Sequence, residues 1–311
     1  PLLGRAEQPL TALKAAAASP HDRARRLQTA TAPARWSDAN TWSGAPPNAS
    51  TPIVYIPAGM HILLDVASVY IRIIVIEGTL TFADELDISL GAEAIIVNHG
   101  ELHIGTASAP FAHAANITLH GHWQSVQLPV FGIKTLAMTA GKLGIHGQPK
   151  TPFGKLAATA GEGAQSVTLV EAPTNWVVGD AVVVTSSVPE LGCTLARDDT
   201  CQTEERTIAA ISGTTITLNT PLSYNHTATT LTHSGKTILL TCEVVNLARN
   251  VKIIGSGGPG TSGFGAHVMV LAPTGGESAI HHVELTRAGQ QFRVGRYPIH
   301  LHAVTDDGGV G

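Results

Sequence analysis

The segment Val294-Gly295-Arg296-Tyr297-Pro298-Ile299-His300-Leu301-His302, with Arg287-Ala288-Gly289-Gln290-Gln291 just before it, gathers the side chains of this chain that can do chemistry. On an extended segment side chains alternate faces, so His300 and His302 point the same way, with Arg287, Arg293 and Arg296 before them and Asp306 and Asp307 after. Imidazoles on one face beside guanidiniums and carboxylates can bind a metal, shuttle protons or grip an anionic sugar. The competing reading is a pair of histidines in a turn of a solenoid, bonded to backbone. Cleaving an acidic glycan requires a proton donor, a base or nucleophile, and cations against uronate carboxylates. Asp306, Asp307 and His300 are the catalytic candidates on this reading, with Glu284 as a further carboxylate. Arg287, Arg293 and Arg296 are the substrate-binding candidates, because a guanidinium forks onto a carboxylate.

Such residues need a scaffold, and from Trp36 onward the chain consists of short β-branched runs cut by glycine. Ile53-Val54-Tyr55-Ile56, Ile71-Arg72-Ile73-Ile74-Val75-Ile76, Ala94-Ile95-Ile96-Val97, Asn116-Ile117-Thr118-Leu119, Ala181-Val182-Val183-Val184 and Val251-Lys252-Ile253-Ile254 all read as strands. They recur roughly every 10 to 25 residues without repeating in sequence, which suits a parallel β-helix, whose rungs need only an apolar inward position and room to turn. Asn-Gly and Asp-Gly hairpins, the mark of a β-sandwich, are scarce. Residues 1–35 are Ala-rich and basic and read as a linker or N-terminal extension, with a short helix as the alternative.

With 14% charged residues, 32 glycines and a formal net charge of -4, the chain reads as an all-β protein with many turns and no nucleic-acid partner. The longest apolar stretch, Ile62 to Ile76, is broken by Asp65 and Arg72, so no membrane span is expected. Cys193 and Cys201 bracket a polar loop that a disulfide can close, leaving Cys242 free and buried beside Ile238-Leu239-Leu240. Sequons at Asn48, Asn116 and Asn225 fit a glycoprotein of the secretory pathway. Without an initiating Met or a signal segment, the chain reads as a processed or partial piece of something longer.

Trp42-Ser43-Gly44, Val54-Tyr55-Ile56-Pro57-Ala58-Gly59, Ile76-Glu77-Gly78-Thr79-Leu80, Gly100-Glu101-Leu102-His103-Ile104-Gly105, Ile117-Thr118-Leu119-His120-Gly121 and Gly132-Ile133-Lys134 together resemble the eight-glycine domain of the fibrocystin-like and cell-surface hyaluronidase family. Glu243-Val244-Val245-Asn246 and the stretch from Gly289 through His302 resemble the parallel β-helix that follows that domain. The resemblance implies an all-β chain: an eight-glycine domain over residues 36–160, then the start of a right-handed parallel β-helix over 161–311, truncated. It implies an extracellular or cell-surface module that recognises a polysaccharide or matrix glycan and serves adhesion. A hyaluronidase-like depolymerase of an acidic polysaccharide is the alternative, and a structural solenoid in a surface assembly with neighbouring protein chains is a third reading. A divalent cation, calcium or zinc, held by His267, His300 and His302, is the cofactor implied. Trp36 and Trp42 are expected to pack over the first strands rather than to stack on sugar.

Overall fold

The computed structural model describes residues 10–16, 32–42, 44–187, 202–271 and 276–302. They form two compact units, one from the residues up to Gln148 together with those from Asn250 onward, the other from Pro149–Arg249. Before the insertion the strands are β1 (Ala34–Arg35), β2 (Ile53–Ile56), β3 (His61–Leu64), β4 (Ser68–Tyr70), β5 (Ile73–Ile76), β6 (Thr79–Phe82), β7 (Ile88–Ala92), β8 (Ala94–Ile104), β9 (Ala115–Leu119) and β10 (Thr135–His146). The insertion supplies β11 (Phe153–Lys155), β12 (Ser166–Thr168), β13 (Ala181–Val184), β14 (Glu204–Ser212), β15 (Thr215–Leu218), β16 (Ala228–His233), β17 (Lys236–Thr241) and β18 (Glu243–Asn246). The chain returns through β19 (Val251–Gly255), β20 (His267–Val270), β21 (Gly276–His281), β22 (Val283–Thr286) and β23 (Ile299–Leu301).

Every pairing among the strands of the first unit is parallel, as expected of a β-helix. One ladder stacks β2, β5, β8, β10, β20 and β23, a second stacks β1, β3, β6, β8, β10 and β21, and a third stacks β4, β7, β9, β19 and β22. In the first ladder, register places Val54, Ile74, Ile95, Leu136 and Val268 in one column, and Ile56, Ile76, Val97, Met138 and Val270 in another. Both columns are buried in the solenoid core. Alternation alone produces this result: β-branched residues at every second position fill the interior, and the parallel hydrogen bonds repeat that choice from rung to rung.

Between the first two ladders the chain must bend, and glycine makes the bend possible. A Cβ on Gly141 would lie 2.0 Å from the Gly100 carbonyl oxygen, and one on Gly100 would lie 2.5 Å from that of Gly78. Gly141 also sits at φ 97°, where a side chain is strained whatever the space. At the same bend Asn98 Nδ2 donates to Glu77 Oε1 (2.7 Å) and Thr139 Oγ1 to Asn98 Oδ1 (2.8 Å), so the polar side chains of successive rungs satisfy one another.

The outer face of the first ladder is also apolar over its early rungs. Ile53, Tyr55, Ile73, Val75, Ile96 and Ala137 form a second buried layer with Phe131 and Leu10. Residues 10–16 are helical, and Leu13 packs on the same layer while Lys14 pairs with Glu77 and lies over the Tyr55 ring. Part of the stretch expected as linker is therefore a docked helix, held by the apolar i, i+3 pair Leu10 and Leu13.

The insertion is antiparallel throughout, in a sheet ordered β11-β18-β13-β14-β15-β12 plus the hairpin β16-β17. This differs from the parallel rungs expected after residue 160. Strand-forming composition is silent about a partner's direction, and the hairpin turns are Ser-Gly rather than Asn-Gly: Gly213 has φ 59°, and Ser234 and Gly235 have φ 50° and 74°. The core of this unit contains Val182, Val184, Ile208, Ile216, Leu218, Val244 and Trp176, with Cys242 free and buried among them. Cys193 and Cys201 lie outside the described residues. Two buried ionic groups accompany that core. Lys150 Nζ lies 2.7 Å from Asp180 Oδ2. Glu204 is paired with Arg206 and with His226 Nε2 (3.0 Å), and it accepts from the backbone N–H groups of Ser223 (2.8 Å) and Tyr224 (3.0 Å).

The insertion leaves and rejoins the first unit at one point. Gln148 N donates to Asn250 Oδ1 (2.8 Å), and Asn250 Nδ2 donates to the carbonyls of Phe111 (2.7 Å) and His113 (2.8 Å).

Gly100→Ala is expected to destabilise the first unit by about 2 to 3 kcal/mol or more, because the new methyl meets backbone oxygen that cannot move. Gly144→Ala, in the same unit, would meet only imidazole side chains, His103 at 3.0 Å and His146 at 3.8 Å, and should cost under about 1 kcal/mol. Equal losses in denaturant titrations would refute the corner argument. In the insertion, burial works against ionised Glu204, yet hydrogen bonds from His226 and Ser223 and the charge of Arg206 hold its carboxyl below the ordinary value of 4.5. A depressed carboxyl stabilises the fold above its unfolded value and loses that contribution as pH falls through the folded one, so this unit should weaken as pH drops below 4.5. Glu204→Ala is expected to cost roughly 3 to 5 kcal/mol at neutral pH and to flatten that acid limb. A variant that melts like the parent at both pH values would overturn this.

Candidate functional site

Toward the last rungs the outer face changes character. The outward column that begins Ile53, Ile73, Ala94 ends in Thr135 and His267, and the column Tyr55, Val75, Ile96, Ala137, Met269 ends in His300. His300 and His302 project on the same side, as alternation predicts, with His300 Nε2 3.2 Å from His302 Nδ1 and the Tyr297 ring 5.4 Å from that of His300. Partial burial, then His302 and Arg296, hold His300 below the ordinary imidazole value.

His267 is on the adjacent rung but turns its nitrogens elsewhere. Nε2 donates to the Phe131 carbonyl (3.0 Å), and Nδ1 accepts from Gln290 Nε2 (3.3 Å). Burial, then Arg296, lower its pKa to about 4, so the ring is neutral at physiological pH. With both nitrogens engaged by protein, a cation at His267 would have to displace one of these bonds. Among the described residues no group of three or more His, Cys, Asp and Glu is arranged to hold a metal ion.

The three arginines converge on the same region, each held by one contact or more. Arg287 Nε donates to the Gly255 carbonyl (2.6 Å), Arg293 Nη1 to Gln127 Oε1 (3.0 Å), and Arg296 Nη2 to the Val130 carbonyl (2.7 Å). The Arg293 guanidinium lies 5.3 Å from the ring centroids of both Trp123 and Phe264. Beneath them Lys134 is fully buried, its Nζ donating to the carbonyls of Ser256 (2.7 Å) and Phe264 (2.9 Å). Burial, then Arg287, push its ammonium down to about 8. Arg296 is likewise lowered by burial and by Arg293. Like charges therefore crowd one another here, and among the described residues no carboxylate pairs with Arg287, Arg293, Arg296 or Lys134. A cleft of about 320 Å³ opens beside Arg287, lined also by the hydroxyl residues Ser256, Thr261 and Ser262 and by Phe264, over whose ring Arg293 lies.

Glu284 is not in this group; it pairs with Lys252 at 2.8 Å on the third ladder. Asp306 and Asp307 lie outside the described residues. His281 and His282 are exposed. Trp36 is buried and packs edge-on against Trp42 at 4.9 Å, the packing role expected. Trp123, Gln127 and Lys134 were not singled out from sequence as site residues. The available signal was a tryptophan and a lysine in the glycine-marked stretch between Gly121 and Lys134, far from the arginines in sequence. Of the sequons, Asn48 and Asn225 are exposed, whereas Asn116 is half-buried within β9.

Comparison with known proteins finds matches in the two segments that flank the insertion, the first running a few residues into it. Residues 41–157 match the G8 domain and residues 263–310 match the CEMIP beta-helix. Fibrocystin-L of Mus musculus is 36% identical over 312 residues and that of Homo sapiens 37% over 312, in each case covering 87% of this chain. A G8 domain-containing protein of Dictyostelium discoideum is 32% identical over 279 residues, covering 86% of this chain and 23% of its own length. The chain spans only 7% of the length of either fibrocystin-L. The parallel stack up to Gln148 thus carries the G8 match and its continuing rungs the CEMIP beta-helix match, and over most of its length the chain is a homologue of fibrocystin-L.

Proposed function

We propose that this chain is an extracellular or cell-surface glycan-recognition module and that the region around Arg287, Arg293 and Arg296 binds an acidic saccharide. The observation that carries this reading is the group of cations without a carboxylate partner among the described residues, fixed beside a hydroxyl-lined cleft. Guanidiniums already oriented by Gly255 and Gln127 lose little freedom when a uronate carboxylate docks, and they retain further N–H donors for it. Trp123 and Phe264, packed 5.0 Å apart, supply an aromatic wall. Glu284 is held by Lys252 on another ladder, so of the described acid-base candidates His300, beside Arg296, is the one that stands with the arginines, and a cluster so dominated by cations favours binding of an acidic saccharide. Adhesion to a polysaccharide matrix is the role such a module serves.

In calorimetric titration with hyaluronan oligosaccharides, Arg287→Ala and Arg293→Ala are each expected to weaken binding about tenfold or more, the effect of one charged hydrogen bond. Oligosaccharides whose uronates have been reduced to alcohols should bind the parent protein no better than the variants. Parent-like affinity in both variants would reject the site. In protein secreted from a eukaryotic host, peptide mapping is expected to find glycan on Asn225 or Asn48 rather than Asn116. Bare asparagine at all three would count against the secretory assignment.

A further inference from the structure

A second cleft lies on the outer face of the second ladder, away from the arginines in register. Its floor is made by small residues, Gly144 on β10 and Ala279 on β21, which are Cα partners. One side carries Glu101, Lys142 and Glu277, partners in register on β8, β10 and β21, with Lys142 Nζ 2.8 Å from Glu277 Oε2. On the other side His146 and His281 stack with ring centroids 5.2 Å apart. His103 lies next to Gly144 in the same column as Ala279, and the space enclosed is about 350 Å³, within the range of ordinary ligand clefts (about 300 Å³ upward).

Two imidazole nitrogens aimed into this space are uncommitted, whereas Lys142 and Glu277 pair with each other. His103 Nε2 lies 2.8 Å from Glu101 Oε2 and donates to it, so His103 Nδ1 is turned toward the floor, 3.0 Å from where a Gly144 Cβ would be. His146 Nε2 converges on the same point from the opposite side, 3.8 Å from it. Neither nitrogen has a hydrogen-bond partner among the described residues. A metal does not fit, since no group of three or more ligating side chains is arranged for one among the described residues. An anion does not fit either: two carboxylates flank one ammonium. What suits such a floor is a flat, uncharged molecule rimmed with hydroxyls, each both donor and acceptor, against acceptor carboxylates, a donor ammonium and imidazole nitrogens.

We infer that the cleft floored by Gly144 and Ala279 binds a neutral sugar residue, independently of the acidic-saccharide region. Imidazole resonances of His103 and His146 can be followed by NMR while the whole chain is titrated with maltotetraose, cellotetraose, chitotetraose and mannotetraose, each to about 10 mM. At least one of these is expected to shift both resonances. Gly144→Leu, which fills the floor where no positive φ forbids a side chain, should weaken that response about tenfold or more. If Gly144→Leu does not fold, His146→Ala takes its place with the same expectation, read at His103. Arg287→Ala should leave the response intact, which separates this site from the first. Silence from all four sugars, shifts that survive the cleft variants, or shifts produced only by hyaluronan oligosaccharides would overturn the inference.

Discussion

Everything in the first unit depends on parallel rungs lying in register at hydrogen-bonding distance, and that spacing depends on the corner where Gly78, Gly100 and Gly141 approach one another's carbonyls. A methyl group there would push adjacent rungs apart and open the ladders on both sides of the bend. The apolar columns reinforce the register, since a slip of one residue would carry Ile74, Ile95 and Leu136 from the core to the outer face. Backbone geometry and side-chain burial thus select the same alignment, which is why exact sequence repetition is unnecessary.

Because register is fixed, the outer columns are where chemistry can vary without disturbing the fold. The column from Tyr55 to His300 passes from apolar residues covered by the helix at residues 10–16 to polar residues beside the arginines. Lys134 is the link between fold and site. Its buried amine ties the Ser256 and Phe264 carbonyls together, and so sets the loop on which Arg293 and Trp123 stack. Its amine thus supports from beneath the loop above which the arginines place their charge.

Period-two patterns were legible in the sequence. The shared face of His300 and His302 and the packing of Trp36 against Trp42 follow from local rules, as does the all-β parallel solenoid. What local rules miss is contact across long separations. Lys134 meets Phe264, 130 positions away, and Trp123 Nε1 donates to the Ser262 carbonyl, 139 positions away. His267 reads as a metal ligand on the rung next to His300 and His302, whereas the structure puts the Phe131 carbonyl and Gln290 on its two nitrogens. The insertion is hidden in sequence for a related reason: Val182 and Val184 alternate in burial as rung residues do, and only their antiparallel partners reveal a separate sheet.

The junction at Gln148 and Asn250 gives that insertion a particular standing. The chain departs after β10 and resumes at β19, on the next ladder of the same rung, where Gln148 and Asn250 bond to each other and to the segment from Pro110 to His113. From the point of view of the stack, the intervening residues are a loop whose ends are already pinned, and lengthening such a loop costs little in closure entropy. Residues 149–249 are therefore a cassette: another domain with closely spaced termini could occupy the same slot, and the solenoid would continue to count its rungs as though nothing had been exchanged.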